Sequence, residues 1–131
     1  MGINLLIILG ASLSVFLLGG LWYSPLMFGH AWQEAEQENN LKTKKGHGVK
    51  VFIYAYGFAF FAALGFASFL PANFSFFDSL MTGFLIGLCF VGSSFGINYL
   101  FAGRSFKLFW IDAGYHLCQF TLYGLIFGLW R

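Results

Sequence analysis

Apolar residues run through this chain in four long stretches separated by three breaks. The stretches cover about residues 3–22, 51–70, 80–101 and 108–130, each long enough to cross a bilayer core of about 30 Å as a helix. The first break, a connector over 25–50, holds Glu34, Glu36 and Glu38 and then Lys42, Lys44, Lys45 and Lys50. The second begins at Pro71, is short, and is followed by Asp78, an acid suited to cap the next helix start. The third, 102–107, carries Arg104 and Lys107. This pattern predicts an all-α integral membrane protein, one domain over 1–131, with four transmembrane helices in a bundle.

Spacing within the stretches refines the prediction. Trp22, Tyr23, Ser24 and Pro25 close the first. Tryptophan and tyrosine there read as an interfacial belt, and Ser-Pro reads as an N-cap and first helical position. A short interfacial helix is therefore expected from Pro25 to about Glu38. Ala55, Ala59, Ala63 and Ala67 recur every fourth residue of the second stretch, a seam that admits a close neighbour. At 100° per residue, Gly83, Gly87, Ser94 and Asn98 share one face of the third. On the fourth, Asp112, His116, Gln119 and Tyr123 form a polar stripe with Tyr115 at its edge, and Gly114, Thr121 and Gly128 lie opposite.

Composition narrows the class further. Hydrophobic residues make up 59% of the chain and charged residues 9%, with mean hydropathy +0.75. A soluble domain carries about a quarter of its residues as charges, so a water-soluble globule is excluded. A net charge of +2 offers no footprint for nucleic acid. Six of the seven Lys and Arg fall in the first and third breaks, so both termini are expected outside and loops 25–50 and 102–107 in the cytoplasm. Cys89 and Cys118 sit in apolar runs, with neither a CxxC nor a zinc spacing. His30, Glu34 and Glu38 could share a helix face, but a solvated acidic face accounts for that spacing, and no metal site is read there.

The candidate chemistry is the polar stripe. An acid and a histidine inside hydrocarbon are costly and by default face a bundle interior or wet cavity. The expected orientation puts Asn98, Asp112, Tyr115 and His116 at one depth on the cytoplasmic side, with Trp22, Tyr23 and Ser24 at the same level. Asp112 and His116, four apart, could touch and titrate as a unit. Gln119 and Tyr123 extend the stripe over roughly 16 Å at about 1.5 Å per residue. Three uses are open: polar glue between helices, a proton or cation path, or a pocket for a ligand. No nucleophile with an activating partner, phosphate loop or redox pair is present, so catalysis is not indicated and no cofactor is implied.

Leu21-Trp22-Tyr23-Ser24-Pro25-Leu26, followed by Phe28-Gly29 and Ala31-Trp32, resembles the opening signature of small bacterial membrane proteins catalogued as "domain of unknown function 1761". Asp112-Ala113-Gly114-Tyr115-His116-Leu117 and Gly128-Leu129-Trp130 are similar to that family's last helix. The resemblance implies a four-helix protein of a bacterial cytoplasmic membrane and no particular activity. His30 and Asp112 stand where the family pattern has Lys and Asn, which makes His116 the stronger candidate of the pair. The leading expectation is a proton- or cation-handling channel or transporter built on Asp112 and His116. The alternative is a non-catalytic binding or accessory protein with a pocket for a lipid or apolar ligand. Four short helices enclose little space, so a homo-oligomer is expected in either case.

Overall fold

The computed structural model describes residues 4–38 and 48–130. Lys42, Lys44, Lys45 and His47 of the connector lie outside the described residues, as does Arg131. The secondary structure is all helical among those described: α1 (Leu5–Trp22), α2 (Gly29–Glu38), α3 (Val49–Phe69), α4 (Phe76–Ala102) and α5 (Phe106–Leu129). α1, α3 and α4 are each long and apolar enough to cross a membrane. α5, at 24 residues, has the length, but its polar stripe keeps it out of that set.

Local chemistry explains each boundary. Asn4 caps α1 by accepting from the Leu6 amide at 3.0 Å. Ser75 and Asp78 form a capping box, with bonds of 3.0 Å and 2.9 Å, so α4 starts at Phe76 rather than 80. Gly103 ends α4 in the left-handed region at φ 70°. Ser105 caps α5 through the Leu108 amide. The helix expected from Pro25 begins later, at Gly29. Ser24 turns its hydroxyl back onto the Leu21 carbonyl at 2.6 Å and so cannot cap forward. Its own carbonyl instead accepts from the amides of Met27 and Gly29, closing a turn around Pro25. Gly29 is required there, because a Cβ would lie 2.5 Å from the Tyr23 carbonyl oxygen.

α5 is the central helix, packed along α4 and α1 and touching α2 and α3. Its crossing with α4 is backbone to backbone. A Cβ on Gly83 would strike the Phe120 carbonyl, one on Gly124 would strike that of Ser79, and the Ser79 hydroxyl bonds the Gly124 carbonyl at 2.7 Å. The main core joins Ile8, Ala11 and Val15 of α1, Ala59, Ala63 and Phe66 of α3, and Tyr123 and Phe127 of α5. The expected alanine seam is thus an α1–α3 contact from Ala59 onward, while Ala55 is exposed. A smaller cluster joins Ala35 of α2, Tyr99 of α4 and Leu108 of α5. Outward-facing Leu13, Leu17, Phe58, Phe61, Phe84 and Phe90 are all exposed, a surface suited to lipid rather than water.

The third stretch departs most from its sequence reading. Within α4, Ile86–Gly92 is π-helical. Such a segment takes up one extra residue, and one residue corresponds to about 100° of rotation. Gly83 and Gly87 are buried against α5, as a uniform helix predicts. Beyond the π segment the face is displaced by one position. Ser94 and Asn98 are exposed, and Phe95 and Tyr99 take their places on the inside.

Candidate functional site

Asp112 lies near the start of α5, where the end of α1, the end of α4 and α2 converge. Its side chain is 8% exposed. Tyr23 donates its hydroxyl to Oδ1 at 2.6 Å, and Tyr99 donates its hydroxyl to Oδ2. The Arg104 guanidinium lies 5.3 Å from the centroid of the Tyr99 ring. Burial, and then the Asp112 carboxylate itself, push the Tyr23 hydroxyl above the ordinary phenol range, which keeps it a donor. Trp22 donates its indole N–H to the Ile111 carbonyl at 3.0 Å, and Tyr115 donates to the Val15 carbonyl at 3.2 Å. The Tyr23 ring meets those of Trp32 and Tyr115 edge-on, 5.9 and 5.6 Å away. The aromatic signature at 22–25 therefore does more than mark the interface. It supplies one of the two donors on the carboxylate and ties α1 to α5.

His116 is one turn deeper and belongs to a separate network. Its Nδ1 lies 2.6 Å from Gln119 Oε1, Gln119 Nε2 donates to the Tyr123 hydroxyl at 3.1 Å, and Tyr123 donates to the Ala59 carbonyl at 2.7 Å. Phe95 stacks on the imidazole with centroids 4.8 Å apart and planes 27° apart, and Tyr115 meets it edge-on. The ring is half-buried. α5 presents it toward the gap between α3 and α4, which are joined by a short turn at one end and do not pack along each other. Beyond Tyr123 the interior is closed by Ile8, Ala63, Phe66 and Phe127.

The polar stripe is thus two sites. Asp112 and His116 share no hydrogen bond: Tyr23 and Tyr99 donate to the carboxylate, and the imidazole Nδ1 is paired with Gln119. Gln119 and Tyr123 serve the histidine, and Tyr115 lies between the two networks. Asn98 joins neither. It lies on the outside with Ser94, Ile97, Phe101 and Ala102, in an open groove on α4. Ser24 and Pro25 form the turn beside Tyr23 and touch no network directly. Tyr99 and Phe95 were not read from the sequence. The pair Gly87 and Gly92, which lets a carbonyl approach closely inside a span, is the one sequence feature that could have flagged the π segment.

The chemistry open to these groups is limited. Two donors on the Asp112 carboxylate, one on each oxygen, stabilise its charged form and weaken it as a base. Among the described residues no three His, Cys, Asp or Glu side chains come together as a metal site. Cys118 is half-buried and Cys89 faces outward, both free. Nε2 of His116 has no hydrogen bond to the chain.

No curated protein and no solved structure matches this chain. A family model does, over residues 6–128, a range that takes in the turn around Pro25, both tyrosines on Asp112 and the whole His116 network. The chain belongs to the family described as "Protein of unknown function (DUF1761)".

Proposed function

We propose that this is a four-span membrane protein with a binding rather than a conducting role, holding an apolar ligand in the gap between α3 and α4 beside His116. In this reading α5 is the fourth span, its polar groups sheltered by the other helices. The charged loops face the cytoplasm, and copies of the chain associate in the membrane. One observation carries the choice: the polar chain from His116 ends on the Ala59 carbonyl, with an apolar plug beyond it. A path for ions needs polar groups or water on both sides of the bilayer midplane. A pocket needs polar groups at one end and apolar walls elsewhere.

The competing reading, a proton or cation path through His116, is favoured by the serial hydrogen bonds from His116 to Tyr123. It requires those bonds to continue where the interior turns apolar. Native mass spectrometry of protein extracted from its membrane separates the two. A binding protein carries a stoichiometric lipid-sized adduct that His116→Ala reduces. Wild-type protein free of adduct, across several mild detergents, would contradict the binding reading.

A further inference from the structure

The His116 network fixes more than a position. A carbonyl oxygen can only accept, so the bond between Tyr123 and Ala59 must use the tyrosine proton. The Tyr123 oxygen is then left to accept, which requires the amide nitrogen of Gln119 on that side. Gln119 therefore turns its carbonyl oxygen to the imidazole, 2.6 Å from Nδ1. An amide oxygen is also only an acceptor, so Nδ1 carries the proton. In the neutral ring the lone pair is on Nε2. One backbone carbonyl on α3 thus dictates, through two side chains of α5, which nitrogen of His116 is left as an acceptor.

Among the described residues no buried side-chain nitrogen or oxygen lacks a hydrogen-bond partner. Nε2 has none from the chain, so it is reached from outside the packed interior. What reaches it comes through the gap between α3 and α4, past the Phe95 ring stacked on the imidazole. In a bilayer that gap opens onto acyl chains. Resting on the binding role proposed above, we infer that Nε2 of His116 accepts a hydrogen bond from the neutral O–H head of a membrane amphiphile whose chain lies between α3 and α4. The required chemistry is a donor on an apolar chain. A group offering only acceptors finds no complement at Nε2 of a neutral, Nδ1-protonated ring.

Hexadecanol and hexadecyl methyl ether make a matched pair of probes, alike in chain and differing in the donor. Binding is followed on the intact protein in nanodiscs with 15N-labelled histidine, the His116 signals being assigned by their loss in His116→Ala. We expect the proton on Nδ1 in the wild type, and its release from that nitrogen in Gln119→Leu. Hexadecanol should move the Nε2 resonance and bind about tenfold more tightly than the ether, the value of one hydrogen bond. His116→Phe, which keeps a ring to stack on Phe95, should bind both probes alike. If that variant folds poorly, the two probes on wild type decide alone. A wild-type ring protonated on Nε2 overturns the inference, as does equal binding of alcohol and ether. Equal binding leaves the gap as an apolar binding site and so spares the binding role. Failure of both probes, together with no co-purifying lipid, would remove the binding role as well.

Discussion

Tyr99→Phe tests the rotation of α4 and the carboxylate site together. The substitution deletes one hydroxyl and keeps a ring that meets Phe95 at 5.7 Å and Phe109 at 6.4 Å. What is lost is one of the two donors on Asp112, a group only 8% exposed. Hydrogen bonds to charged groups contribute about 1.5–3 kcal/mol, whereas interhelical bonds within membranes average about 0.6. The Tyr99 bond is charge-assisted but lies near the end of α4, and Tyr23 still holds the other oxygen. We therefore expect a loss of about 1.5 kcal/mol, roughly a tenfold fall in the folding equilibrium constant. Asn98→Ala, one residue earlier and exposed, should change stability by about 0.5 kcal/mol or less. Removing both donors, in Tyr23→Phe with Tyr99→Phe, should cost more than the sum, because the carboxylate is then buried without a partner. The assay is reversible unfolding in mixed micelles against increasing SDS, followed by tryptophan fluorescence. A costly Asn98→Ala beside a neutral Tyr99→Phe would refute the reasoning, since that is the outcome of a uniform helix with no extra residue.

Other consequences follow from particular contacts. Gly124→Ala puts a methyl into the Ser79 backbone and should cost about 3 kcal/mol by thermal unfolding in detergent, the upper range for overpacking. Gly65→Ala, with open space around the new methyl, should be neutral or gain up to about 1 kcal/mol. Deleting Val91 from the π segment removes the extra residue and should leave Tyr99, not Asn98, on the inside of a uniform helix, so the loss in thermal unfolding should be smaller than that of Tyr99→Phe. The Tyr23 hydroxyl, raised in the folded state, contributes stability in full below about pH 10, the ordinary phenol value. That contribution is lost as pH rises further, because the unfolded chain then gives up a proton that the folded one keeps. Stability measured from pH 9 to 12 should fall more steeply for the wild type than for Tyr23→Phe.

Much of the fold follows from hydrophobic periodicity and capping, because those are local. The apolar stretches, the break after Trp22 and the inward stripe of Asp112, His116, Gln119 and Tyr123 can be read residue by residue. What the sequence conceals depends on events that shift a register. The π segment is the chief case: with one residue taken up between Ile86 and Gly92, a face drawn at uniform spacing points Asn98 where Tyr99 stands. The pairing of Asp112 with tyrosines rather than with His116 is hidden for the same reason. One donor comes from the displaced face of α4 and the other from the turn that ends α1. Ser24 shows the smaller version of this effect, where a residue suited to start a helix closes the preceding one.

The central claim is that the polar stripe serves a one-ended site and not a path across the membrane. Proton and cation flux into proteoliposomes, measured for wild type and a folded His116→Ala variant, tests it most directly. Between pH 5 and 8, where histidine titrates, we expect no flux above that of empty vesicles for either protein. Flux carried by the wild type and abolished in His116→Ala would contradict the claim and make the His116–Gln119–Tyr123 chain one half of a conducting route.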